Sequence, residues 1–188
     1  MGLFDKIKNA ANQAGIADAV KSVTNKTETI TFQNVPDTYE EFIALPQAQL
    51  STPFETAAMT IVALSNYPVD KDASIKMLNY LRGPRPLSAY DIQFLRDRFM
   101  DKDYVARSFF VGATPANDYM PTEPYSIKVF ENPYSYTNEG YARLFIRSGG
   151  ADTERYCDMR KAKDGKWYLW EQYLLSDIRQ PESANPWA

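Results

Sequence analysis

Arg143, Arg147, Arg155 and Arg160 fall within residues 141–147 and 154–160, two stretches whose alternation of apolar and polar side chains predicts adjacent β-strands. A period of two puts Arg143 and Arg147 on one face. Clustered guanidinium groups offer forked donors that fit carboxylate or phosphate, so these two are candidate ligand-binding residues. The favoured structural reading is a solvated outer face, on which the arginines form weak exposed pairs with Asp152, Glu154 or Asp158. Asn117, Asp118 and Tyr119 form a second candidate set, inside a proline-punctuated connection from 112 to 124, because connections of that length are often functional. The favoured alternative is a crossover stiffened by Pro115, Pro121 and Pro124 that covers a sheet edge. Trp170 is the third candidate. Strict alternation along residues 166–173 groups Trp167 with Leu169, Glu171 and Tyr173, and groups Trp170 with Tyr168, Gln172 and Leu174 on the more exposed face. If the chain's end covers Trp170, Trp187 is the expected lid.

Other chemistry is removed by what the chain lacks. It has no histidine and one cysteine, Cys157, so neither an imidazole-based triad nor a Cys/His zinc site can be assembled. Cys157 lies mid-strand and reads as a small buried hydrophobe, with no histidine to activate it. Asp91, Asp97, Asp101 and Asp103 do not follow the spacing of a calcium loop, and no glycine-rich phosphate loop is present. No metal and no cofactor are expected. A net charge of −3 gives no global basic field, so nucleic acid is not an expected partner. The single cysteine permits no internal disulfide, the N-terminus lacks the apolar core of a secretory signal, and no run approaches the roughly 18 apolar residues of a membrane span. The expectation is a cytoplasmic protein.

The elements that must carry these residues are legible in the capping and turn chemistry. Over residues 1–26, Leu3, Ile7, Ala10, Ala14, Ala17 and Val20 recur at helical spacing among lysines, predicting a weak amphipathic helix appended to the rest. Its opening resembles the start of short membrane-surface peptides. Leu3, Phe4 and Ile7 are its candidate contacts with a partner or, weakly, with a membrane surface. The remaining 27–188 reads as a single domain, in which 44% hydrophobic composition over 188 residues supports one buried core. Residues 27–32 read as a linker or short edge strand. Asp37 with Glu40 opens a short helix stopped by Pro46, and Thr52-Pro53 with Glu55 opens a second. Asp70 caps a third that ends at Gly83-Pro84, and Ser88 with Asp91 opens a fourth. Strands follow at 125–130, 141–147, 154–160 and 166–173, with turns at Gly149-Gly150 and Asp164-Gly165. Helices first and hairpin strands afterwards predict an α+β fold, with helices on one face of a curved, mainly antiparallel sheet of four or more strands. That layout resembles the nuclear-transport-factor-2 cone by analogy of element order.

Four blocks carry a family resemblance. They are Gly83-Pro84-Arg85-Pro86-Leu87-Ser88 into Phe94-Leu95-Arg96-Asp97-Arg98; Gly112-Ala113-Thr114-Pro115 through Tyr119; Asn132-Pro133-Tyr134-Ser135-Tyr136 through Gly140-Tyr141 to Ser148-Gly149-Gly150-Ala151-Asp152; and Trp167-Tyr168-Leu169-Trp170-Glu171-Gln172 through Arg179 to Pro186-Trp187-Ala188. Together they resemble a bacterial domain-of-unknown-function family, over about residues 53–188. The resemblance implies no activity, ligand or catalytic residue. With no recognisable catalytic set, the chain reads as a non-enzymatic binding or interaction module for an unknown protein partner or small molecule. The alternative is a small-molecule binder or carboxylate/Tyr-dependent enzyme with a pocket between helices and sheet.

Overall fold

Capping hydrogen bonds set where each helix begins. The computed structural model describes residues 25–187, so residues 1–24 of the appended helix expected over 1–26, with Leu3, Phe4 and Ile7, lie outside the described residues, and residues 25–26 are not helical. Helix α1 (Tyr39–Ala44) opens on Thr38, whose hydroxyl accepts the Glu41 N–H at 3.2 Å while the Glu41 carboxylate accepts from Thr38 N at 3.4 Å. The box thus lies one residue beyond the expected Asp37/Glu40 pair. The two registers overlap in the sequence, and Asp37 contributes its own N–H to the same Glu41 carboxylate. Helix α2 (Pro53–Ser65) uses Thr52 and Glu55 as expected, with reciprocal bonds of 3.2 and 3.1 Å. Asp70 caps α3 (Lys71–Arg82), and Ser88 with Asp91 closes a box on α4 (Ala89–Phe99).

Eleven of the thirteen residues of α2 are buried, not one face only, because the sheet lies on one side of it and α3 on another. Its small residues Ala57, Ala58 and Ala63 allow that close approach. Its two internal threonines are satisfied: Thr56 Oγ1 donates to the Trp167 carbonyl at 2.6 Å and Thr60 Oγ1 to the Thr56 carbonyl at 2.8 Å. Each fully buried Ile, Leu or Met of this helix contributes about 1.5–3 kcal/mol of transfer free energy.

The sheet has five antiparallel strands in the order β1 (Thr27–Phe32), β2 (Tyr125–Phe130), β3 (Tyr141–Ile146), β4 (Arg155–Lys161) and β5 (Trp167–Tyr173), and it is not closed. Residues 27–32 are therefore a full edge strand, paired along all six residues with β2. The four α-helices of the described residues lie in the chain between β1 and β2, which makes the fold α+β. Inward side chains Ile127, Val129, Leu144, Ile146, Cys157, Met159 and Leu169 join the α2 residues in one buried cluster. The Asp164-Gly165 turn closes the β4–β5 hairpin, with Gly165 at φ +83° and Ala162 N donating to the Lys166 carbonyl at 2.9 Å. No described helix is long and apolar enough to cross a membrane.

Candidate binding surface

The strand register aligns aromatic rings in a row across the outward face. Phe130 pairs with Phe145, Phe145 with Tyr156, and Tyr156 with Tyr173. Their ring centroids are 5.9, 6.0 and 4.6 Å apart in that order. None of these rings belongs to the buried cluster or to the residues lining it, and Tyr173 is 49% exposed. Offset and tilted pairs of this kind contribute about 0.5–1.5 kcal/mol each beyond their buried area. The row is thus an ordered surface of fixed rings.

A charged row runs beside it. Arg143 pairs in register with Asp158, and Asp158 with Glu171. Arg143 grips Asp158 with both forks, Nε at 2.7 Å and Nη2 at 2.8 Å, and its guanidinium lies 4.2 Å from the Tyr156 ring centre. The Asp158 hydrogen bond raises the Arg143 pKa against the opposing effect of burial. Arg147 lies over Phe130 at 5.7 Å. The favoured sequence reading, arginines paired on an outer face, describes Arg143; Arg147 meets a ring and no carboxylate among the described residues.

At the hairpin end a β-bulge reorganises β5. Met159 pairs with Leu169 and Asp158 with Glu171, so Trp170 is an extra residue without a partner on β4. The bulge lets Trp170 and Glu171 both serve the outer face. Trp170 packs edge-on against Tyr141 at 5.8 Å, with Arg85 and Arg160 at 4.2 and 4.8 Å from its ring centre. Its freed carbonyl accepts from Arg82 Nη1 and Arg85 Nη1, each at 3.3 Å, and Arg85 also pairs with Glu171. Strict alternation therefore fails here: Glu171 and Tyr173 share a face with Trp170, not with Trp167. Trp167 instead packs against the lining of the core. Trp187 is 92% exposed and is no lid for Trp170, which is flanked by arginines.

The structure brings Arg143, Arg147 and Trp170 onto one face and places Asn117, Asp118 and Tyr119 elsewhere. Asn117 is spent inside its own loop, accepting from Thr114 N at 2.9 Å and donating to the Gly112 and Met120 carbonyls at 2.9 and 3.1 Å. Asp118 accepts from Ser183 Oγ at 2.5 Å. Tyr119 is fully buried, stacked on Tyr104, and donates its hydroxyl to the Arg179 carbonyl at 2.6 Å. Burial pushes its pKa up to about 12. The loop's side chains thus fasten the C-terminal segment. Arg155 does similar work, donating to the Ser176 and Asp177 carbonyls.

Two sequence expectations concerned interior chemistry. The space between α2 and the sheet is filled by the cluster above, and a cleft of about 950 Å³ lies at the rim where β1 runs into α1. Cys157 is fully buried, and desolvation followed by the nearby Asp158 charge pushes its thiol pKa up, which disfavours the nucleophilic thiolate. Among the described residues no group of three or more His, Cys, Asp or Glu is placed to hold a metal ion. The residues that sequence reasoning passed over are Phe130, Phe145, Tyr156, Arg82 and Arg85. The first three carried a visible signal, an aromatic residue on each of three strands already recognised. The two arginines flank the Gly83-Pro84 helix end, which the sequence marked only as a stop.

No curated protein and no solved structure matches the chain, so the cone analogy rests on element order alone. The matched family region starts before the expected residue 53 and takes in α1, while β1 precedes it although it belongs to the sheet. Residues 34–182 match the domain of unknown function DUF6935, and the chain belongs to that family.

Proposed function

We propose that the protein is a cytoplasmic, non-enzymatic binding module that holds a protein partner against the outer face of its sheet. The observation that carries this reading is the aromatic row Phe130, Phe145, Tyr156 and Tyr173, set in register and flanked by Arg143 and Arg147 outside the core. Protein interfaces are enriched in aromatic residues and Arg, whose large rigid contact areas lose little conformational entropy on binding. Arg147 favours a partner that brings a carboxylate to the edge of the row.

Affinity capture from the source cells tests the reading, comparing the wild-type chain with a Phe145→Ser/Tyr173→Ser variant whose fold is checked by circular dichroism. A stoichiometric partner that is retained by the wild type and lost by the variant supports it. A partner retained equally by both would place the interface elsewhere.

A further inference from the structure

The β4–β5 hairpin and the turn between α3 and α4 enclose a cleft of about 460 Å³, within the size range of small-ligand sites. Arg82, Arg85, Arg160, Lys161 and Lys163 line it, and no carboxylate does. In a chain of net charge −3 this concentration of cations is local, and each raises the electrostatic cost of the others. Arg82 shows the imbalance most clearly. It is 4% exposed, gives Nε to the Arg85 carbonyl at 3.0 Å and Nη1 to the Trp170 carbonyl, and finds its nearest carboxylate, Asp91, only at 3.9 Å. A buried guanidinium without a hydrogen-bonded counter-ion is costly. Desolvation first, then the neighbouring Arg85, lowers its pKa, as a site short of negative charge would.

The surrounding carboxylates do not close the deficit. Glu171 is engaged by Arg85, and Asp164 is held by Lys166 N at 3.0 Å and the Tyr168 hydroxyl at 2.7 Å. Arg160, Lys161 and Lys163 have no carboxylate partner among the described residues, and Arg160 meets only the rings of Tyr141 and Trp170. Counting Asp91, Asp164 and Glu171 against the five cations leaves two positive charges, close to the roughly −1.5 to −2 of a phosphate monoester near neutral pH.

We propose that this cleft binds a small phosphorylated molecule. Arg85 and Arg160 supply forked donors to the phosphate from beside Trp170, and Arg82 supplies the buried charge behind them. The confined volume and the acidic remainder of the protein favour a small ligand over an extended polyanion. The cleft meets the outer face at Trp170 but is lined by none of Phe130, Phe145, Tyr156 and Tyr173, so pyrophosphate binding without a protein partner, or the reverse, distinguishes the two proposals.

Isothermal titration with inorganic pyrophosphate, at an ionic strength held constant with NaCl, tests the site. The wild type is expected to show one saturable site. An Arg160→Gln/Lys163→Gln variant removes two exposed charges without breaking a described hydrogen bond and should bind about tenfold more weakly or worse. Lys71→Gln, on the exposed start of α3, should bind as the wild type does. Absence of saturable binding by the folded wild type, or equal affinity in the double variant, overturns the proposal. Binding of a short RNA that pyrophosphate does not displace overturns it as well, since the cleft would then serve a different class of ligand.

Discussion

Replacing Tyr119 by Phe removes one hydroxyl and keeps the buried ring stacked on Tyr104. That hydroxyl is the donor to the Arg179 carbonyl at 2.6 Å, and no other described donor reaches this acceptor. This hydrogen bond is only partly buried and Arg179 is exposed, so its loss costs about 0.5–1.5 kcal/mol. For a chain of this length each kcal/mol moves Tm by roughly 2–4 °C, so differential scanning calorimetry should show a fall of about 1–6 °C. Because Phe fills the same space, the loss cannot come from a cavity. Gly150 supplies an internal control. A Cβ there would overlap the Tyr119 hydroxyl and come within 2.9 Å of Ile178 Cγ2. Gly150→Ala should therefore destabilise the wild type, and destabilise Tyr119→Phe by less, with a coupling of about 0.5–3 kcal/mol in the double-mutant cycle. The raised pKa adds a pH signature. Its contribution to stability is fully present below the ordinary value of 10.0 and is lost as pH rises toward about 12, and Tyr119→Phe should lack that alkaline loss. A Tm for Tyr119→Phe within about 1 °C of the wild type, together with additive single variants, would refute the latch and return this loop to the candidate ligand sites.

Three other expectations follow from packing and caps. Trp167→Ala should destabilise toward the about 3–5 kcal/mol of a core truncation, while Trp170→Ala, on the outer face, should cost far less in chemical denaturation; equal large losses would show both faces to be buried. Cys157 should resist a thiol reagent in the native protein and react at once in denaturant, and rapid native labelling would contradict its burial. Thr52→Ala removes the α2 capping box and should cost about 1 kcal/mol, read as a lower urea midpoint at unchanged slope; an unchanged midpoint would mean the tertiary packing of α2 alone sets its start.

Local rules made the elements legible because most of them are decided locally. Thr52, Asp70 and Ser88 each carry the side-chain oxygen that an N-cap needs, and strand 125–130 was bounded correctly from its alternation. Where two registers satisfied the same rule, as with Asp37/Glu40 and Thr38/Glu41, the sequence could not choose. Long-range burial was less visible. Tyr119 carries the polar tip that suits a binding loop, yet its hydroxyl is consumed by Arg179, sixty residues away in sequence, and nothing near Tyr119 announces that partner. Arg143 was legible as paired because its partner lies one hairpin away.

The bulge at Trp170 shows why the candidate surface itself could not be read from periodicity. With strict alternation, Glu171 and Tyr173 would point into the core with Leu169, and Trp170 would stand apart from both. One unpaired residue reverses this. It leaves Leu169 buried, brings Glu171 opposite Asp158 and Tyr173 opposite Tyr156, and adds Trp170 to the same outer face. The aromatic row, the Arg143–Asp158 pair and the arginine-flanked Trp170 become one surface only through that insertion. No glycine marks the position, so the usual sequence sign of a bulge is missing. What holds it open is distant in sequence: the carbonyl it frees is taken by Arg82, the last residue of α3, and by Arg85 from the turn after it. The same two arginines that stabilise the bulge bring positive charge to the cleft beside it, so the backbone irregularity and the anion site have one structural cause.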